Sequence, residues 1–301
     1  MATTIPASFA EFASNTNITD RQAQAVSNCR YNVVEKLKAQ IQLYPNHESL
    51  LIGSYDRDTL QRYLKNGDVD VMVVMHYGHN KAWCTAEGTT SALQKFQRVL
   101  AAAYPQTPCG VDRNCVTMKL DQFRLDVVPA FSFGNGVYRI PDTYRREWLP
   151  TQPKQFGERI TAINKNMDGT FVPLVKMMKA WNAQWATTRV RSFHLECMIS
   201  LACARYTKRY AYHSLMPIMF DALATYLAGA IYDPISGDRL DTYLDTNTQP
   251  SDRQTLVNRA LASAKEARAA YDTGNYMNGA YAKTAIDQWK VLFGEFFPAY
   301  G

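Results

Sequence analysis

The chain has 301 residues, 47% hydrophobic and 20% charged, so it can bury a sizeable core and should form one large unit or two lobes. Its 33 basic and 27 acidic side chains leave a formal charge of +6, which suits an acidic small substrate and does not indicate a nucleic-acid coat. No apolar stretch approaches the ~18 residues that span a bilayer, and residues 1–17 lack the pattern of a signal peptide. A cytoplasmic protein off the membrane, its six cysteines reduced, is the expectation.

Thr19-Asp20-Arg21-Gln22 has the pattern of a capping box. Val26, Cys29, Val33, Leu37 and Ile41 follow at helical spacing and predict a long N-terminal helix, stopped by Pro45-Asn46-His47. Leu50-Leu51-Ile52 reads as a short strand delivering Gly53-Ser54. Residues 56–66 are polar and read as a loop with a helical turn, covering phosphates. A strand over 69–75, a polar connection over 78–89 and a helix over 91–104, bounded by Pro105, come next. Strands 115–120 and 123–131 should form a hairpin, and Pro141, Pro150 and Pro153 mark the exit from the sheet lobe.

The remainder reads as helical. Phe171, Leu174, Val175, Met178 and Trp185 lie on one side of a helix, leaving Lys176 and Lys179 on another. Residues 255–271 and 275–297 predict two further helices joined by Asp272-Thr273-Gly274, the second with Ile286, Trp289 and Phe293 on one face. The fold class is α+β: a mixed sheet with flanking helices over residues 1–150, a helical lobe over 151–301, and the long N-terminal helix bridging both.

The chemistry concentrates in Gly53-Ser54, Asp68-Val69-Asp70 and Arg124-Leu125-Asp126-Val127-Val128. Alternate residues of a strand point to one face, so Asp68 and Asp70 project together while Val69 and Val71 enter the core. Asp126 sits inside an apolar run, where a lone carboxylate is costly without a metal or partner. Phosphoryl transfer asks for such acids, because it needs two divalent cations held about 3.5–4 Å apart. Hard oxygen ligands suit two Mg²⁺ ions, with Mn²⁺ as a substitute. Gly53 permits close backbone approach, and Ser54 can offer an N–H and a hydroxyl to a triphosphate. His76-x2-His79-x4-Cys84 and Cys109-x5-Cys115 invite a zinc reading, but neither spacing matches the usual paired cysteines.

With these motifs the chain resembles the DNA polymerase β-like nucleotidyltransferases, and within them the cGAS/DncV-like enzymes that make cyclic oligonucleotide messengers in bacterial antiviral (CBASS) systems. The resemblance spans roughly residues 20–298 and implies a polymerase β-like lobe with Asp68, Asp70 and Asp126 as catalytic metal ligands. Lys176-Met177-Met178-Lys179-Ala180-Trp181 and Arg191-Ser192-Phe193-His194-Leu195-Glu196 look like the family's paired helical segments. By that likeness Lys179 and Ser192 grip nucleotide phosphates and Phe193 stacks on a base. The implied substrates are ATP and other nucleoside triphosphates, and the implied product is an adenine-rich cyclic trinucleotide such as cyclic tri-AMP. The implied activator is a HORMA-domain protein. A polymerase-type transferase acting on RNA and an antibiotic-modifying transferase use the same metal chemistry and stand as alternatives.

Overall fold

The structure, a computed structural model, describes residues 2–62, 67–245, 251–276 and 280–301. Parts of the expected phosphate-covering loop (63–66) and of the expected last helix (277–279) lie outside them. Two helices open the chain, α1 (Ile5–Thr16) and α2 (Asp20–Lys38). The capping box forms as expected: the Gln22 amide donates to Thr19 Oγ1 at 3.3 Å and the Thr19 amide to Gln22 Oε1 at 2.9 Å. Helix α1 was not foreseen. Its Phe9 and Phe12 are buried against the Phe293 and Phe297 rings, which explains why the segment is ordered.

The chain divides into two compact units, Ile18–Glu158, and Met1–Asn17 together with Arg159–Gly301. The boundary thus falls after Glu158 rather than after residue 150, and α1 and α2 fall to different units.

The first unit carries β1 (Ser49–Ile52), α3 (Gly53–Asp56), β2 (Asp68–Met75), α4 (Tyr77–Asn80), α5 (Ala86–Ala103), β3 (Cys109–Val111), β4 (Val116–Lys119), β5 (Arg124–Ser132), β6 (Tyr138–Asp142) and β7 (Glu147–Thr151). They form a mixed seven-stranded sheet in the order β1-β2-β5-β4-β3, with β6 joining β5 to β7. Strands β2 and β5 run parallel, and the other pairs are antiparallel. Odd positions of β2, from Val69 to Met75, pack with Val26, Val33 and Leu37 of α2 and Leu93 and Phe96 of α5. Even positions turn the other way, where Met72 and Val74 meet Ala130. One residue of slip would drive Asp68 and Asp70 into the core, so burial of the valines fixes where the acids point.

Pro141 and Pro150 do not mark an exit. They lie in β6 and β7, which extend the sheet as a hairpin. Proline lacks an N–H but is tolerated at sheet margins, and β7 pairs with β6 alone among the described residues. Pro153 instead begins α6 (Pro153–Asn166), as its fixed φ favours at a helix start.

The second unit contains α7 (Phe171–Ala183), α8 (Ser192–Cys203), α9 (Tyr212–Leu227), α10 (Thr242–Asp245), α11 (Ser251–Asn275) and α12 (Ala282–Phe293). The expected polar side of α7 does not exist. The helix is buried almost all round, and Lys176 and Lys179 are buried with it. Each has a partner: Lys176 Nζ donates to Asn17 Oδ1 at 2.9 Å, and Lys179 Nζ lies 2.6 Å from Glu196 Oε1. Trp185, expected in the core, lies beyond the helix, 37% exposed, under the Arg259 guanidinium. The expected turn at Asp272-Thr273-Gly274 is absorbed into α11. A Cβ on Gly274 would sit 2.1 Å from Ile5 Cδ1, so this glycine serves close packing rather than a turn.

Candidate active site

The site is built on the parallel pair β2–β5. Their register sets Asp68 beside Arg124 and Asp70 beside Asp126, and the i, i+2 rule puts all four side chains on one face. Asp126 is 9% exposed, while the Asp68 side chain is 44% exposed. Thr117 of β4, paired with Asp126 across the next ladder, donates its hydroxyl to Asp126 Oδ1 at 2.7 Å. Arg124 Nη2 lies 2.5 Å from Asp68 Oδ2 and 3.5 Å from Asp126 Oδ2.

Gly53 closes the site from β1, where Ile52 pairs with Asp70. Its φ is +69°, and a Cβ built there would lie 2.0 Å from Asp70 Oδ2. Gly53 thus gives close approach to an acid of the site. The segment after Ser54 is tied down by an Asp56–Lys154 ion pair and by the Arg57 guanidinium over the Phe156 ring at 5.3 Å.

Electrostatics mark this face as short of positive charge. Burial, then the neighbouring Asp126 and Asp68 carboxylates, push the Asp70 carboxyl up to about 7. Asp68 is also raised, mainly by burial, with Arg124 opposing. Among the described residues no three His, Cys, Asp or Glu side chains already converge on one centre. On this face Arg124 stands between Asp68 and Asp126. The donor set nonetheless fits a hard divalent cation: three carboxylates from adjacent strands, mutually repelling, two of them raised in pKa. Such an ion would relieve the repulsion that Arg124 only partly offsets.

The other expected residues belong to the second unit. Ser192 is the first residue of α8 and exposed, Phe193 is half-buried, and Lys179 pairs with the fully buried Glu196. The Tyr243 hydroxyl braces this helix start, accepting the Arg191 amide at 3.0 Å and meeting His194 Nδ1 at 3.1 Å, with the Arg191 guanidinium 4.2 Å over its ring. Burial lowers His194 to about 4, so it is a neutral internal side chain with no charge to offer a phosphate. The His76 and His79 rings pack edge to face at 4.8 Å, and Cys84, Cys109 and Cys115 are free thiols.

Sequence reasoning missed Thr117, Glu196 and Tyr243. Thr117 had a signal, because the expected 115–120/123–131 hairpin sets residue 117 opposite residue 126. Glu196 lay in the segment that resembles the family but drew no role, and Tyr243 had no signal.

Comparison with known proteins agrees with this geometry. The model of the Second Messenger Oligonucleotide or Dinucleotide Synthetase (SMODS) domain matches residues 3–164. A cyclic AMP-AMP-AMP synthase of an Acinetobacter species is 27% identical over 266 residues, 83% of this chain and 72% of that protein. A probable cyclic nucleotide synthase of Bacillus cereus is 25% identical over 295 residues, covering 86% and 84%. Two solved structures share the fold: E. coli MS115-1 CdnC with ATP (TM-score 0.72, 16% identity, covering 97% and 98%) and Vibrio cholerae DncV cyclic AMP-GMP synthase (0.72, 13%, 95% and 94%). The match takes in Gly53, Ser54 and all three acids, and it spans more than half of the chain. The chain therefore belongs to the second messenger oligonucleotide or dinucleotide synthetases, the cGAS/DncV-like nucleotidyltransferases.

Proposed function

We propose that this enzyme joins ATP into an adenine-rich cyclic trinucleotide, cyclic tri-AMP, in the cytoplasm as a signal in bacterial antiviral defence. The observation that carries the reading is the acidic face of β2–β5, with Asp68, Asp70 and Asp126 aimed together beside Gly53. The choice of product leans on the Acinetobacter relative, named as a cyclic AMP-AMP-AMP synthase.

Asp68 and Asp70 would hold the ion accompanying the donor triphosphate, and together with Asp126 a second one. Bound Mg²⁺, or Mn²⁺ in its place, supplies Lewis acidity that lowers the pKa of the acceptor ribose hydroxyl and offsets charge on the departing pyrophosphate. The protein's own part is alignment. Thr117 fixes one oxygen of Asp126, so that the carboxylate is aimed before substrate arrives. Gly53-Ser54 would present backbone N–H and hydroxyl to the triphosphate. Ser192, at the N-terminus of α8, would meet phosphate where the helix favours anions, and Lys179 of α7, paired with Glu196, would join it by the family likeness. Phe193 would stack on a base. Repeating the transfer and closing onto the first nucleotide yields the ring.

The E. coli CdnC neighbour is known in complex with a HORMA protein, and we extend such an activating partner to this chain. The RNA-extending and antibiotic-modifying alternatives have no observation in their favour. Incubation with Mg²⁺ and labelled ATP, with and without RNA and a HORMA partner, tests the reading. A small phosphatase-resistant product is expected in every productive mixture. RNA elongation in place of that product would overturn it.

A further inference from the structure

The acidic face holds a cation of the protein's own. Arg124 is the first residue of β5, two residues before Asp126 and directly opposite Asp68. Its side chain therefore rises in the same row as the three acids. One guanidinium nitrogen contacts Asp68 Oδ2 at 2.5 Å and approaches Asp126 Oδ2 at 3.5 Å, so it bridges carboxylates of two neighbouring strands. A divalent ion shared by Asp68 and Asp126 would sit between the same two carboxylates, about 2.0–2.1 Å from its ligand oxygens for Mg²⁺. Guanidinium and ion therefore compete for the same negative charge and the same space between the two strands.

We infer that Arg124 is a built-in counter-cation that competes with the divalent metal for Asp68 and Asp126, and must swing out before the metal shared by the two can enter. This rests on the two-metal reading of the acids. Its surroundings allow the exchange. The Arg124 side chain is 46% exposed and Asp68 44%, so the guanidinium has solvent to enter and the pair is only modestly strong. Asp126 stays aimed when Arg124 leaves, because Thr117 holds its other oxygen. A guanidinium released beside bound triphosphate finds a better acceptor there, since its planar fork matches phosphate oxygens. Metal entry is thereby coupled to nucleotide arrival. The nucleotide-free enzyme keeps Asp68 and Asp126 partly offset by Arg124 and binds the metal shared by the two weakly.

The test is Mn²⁺ binding to the full-length protein without nucleotide, followed by electron paramagnetic resonance, for wild type, Arg124→Met and Arg124→Lys. Methionine keeps the apolar stem and removes the competing charge, so Mn²⁺ should bind about tenfold more tightly, the change that ~1.4 kcal/mol of relieved competition produces. Lysine keeps the charge and should stay near wild type, which separates charge from any disturbance of the strand. Melting temperatures give a second reading independent of turnover: Mn²⁺ should raise that of Arg124→Met more than that of wild type. Wild-type binding of Mn²⁺ that Arg124→Met leaves unchanged or weakens overturns the inference alone. Failure of all three proteins to bind Mn²⁺ overturns the two-metal reading and this inference with it.

Discussion

Asp126 and Asp68 lie on one face yet should fail differently. Asp126→Asn keeps size and shape but substitutes a weaker neutral ligand. If Asp126 serves only the ion that activates the hydroxyl, the variant should still bind Mg²⁺ and a non-hydrolysable ATP analogue in calorimetry while turnover drops by several orders of magnitude. Asp68→Asn should weaken both. Near-normal synthesis by Asp126→Asn would reduce that acid to a buried structural group. Thr117→Val removes the hydroxyl that orients Asp126 while keeping shape, and loss of such a supporting hydrogen bond typically costs 10–100-fold in activity or metal affinity. It should appear in kcat with the ATP KM little changed; an unaltered kcat would remove Thr117 from the machinery. Asp70 makes the metal-free protein sensitive to pH. Its folded-state carboxyl titrates at about 7, above the ordinary ~3.9, so the fold favours the protonated form. The stabilisation is full below about pH 4 and is lost as pH rises through 7. Melting temperature in a chelator should therefore fall from pH 4 to 8 and Mn²⁺ affinity should rise over the same interval, both more weakly in Asp70→Asn. A flat profile in the wild type would contradict the crowding of these acids.

Among the elements, α7 changes how the phosphate-binding reading is tested. A solvated Lys179 could be cut to Ala without harm to the helix, since Ala is the better helix former. Lys179 is instead paired in the interior with Glu196, which is fully buried. Removing one partner of a buried pair costs about 3–5 kcal/mol, so Lys179→Ala should lower the melting temperature markedly whatever its role in binding. The double variant Lys179→Met/Glu196→Gln removes both charges and should recover much of that loss. If Lys179 grips phosphate, the double variant still shows a raised KM for ATP; an unchanged KM would confine the lysine to structure. The α7 misreading has a clear cause. Periodicity finds the apolar stripe of a helix, but it cannot tell that a second, polar stripe is also covered when charges pair inside. The same limit hid the burial of Gly274, where a turn-like tripeptide inside α11 serves the approach of Ile5. Gly53→Ala belongs here too. It forces a left-handed φ on a residue with a Cβ, at roughly 1–2 kcal/mol, and drives that Cβ into Asp70. Metal affinity and stability should fall together, and a variant with wild-type Mn²⁺ binding would show that the β1 turn does not brace the acid.

At the scale of the whole molecule, the sheet unit was legible because its signals are local. Acid–valine alternation at the start of β2, the apolar run of β5, the capping box of α2 and the glycine after β1 each act within a few residues and agree with one another. What escaped depends on distant partners: α1 is held by aromatic rings almost three hundred residues away in sequence, and β6 and β7 tolerate prolines because of where they lie in the sheet. The acids of the site were readable for the same local reason, while Arg124, in view beside Asp126, gained meaning only once the parallel register set it opposite Asp68. The most direct test of the proposed activity is mass spectrometry of the products that the wild type and Asp126→Asn form from mixed nucleoside triphosphates with Mg²⁺. The wild type should yield a cyclic trimer of adenylate that resists phosphatase, and Asp126→Asn should yield almost none. Linear or RNA-linked products from the wild type, or the same cyclic product in like amount from Asp126→Asn, would contradict it.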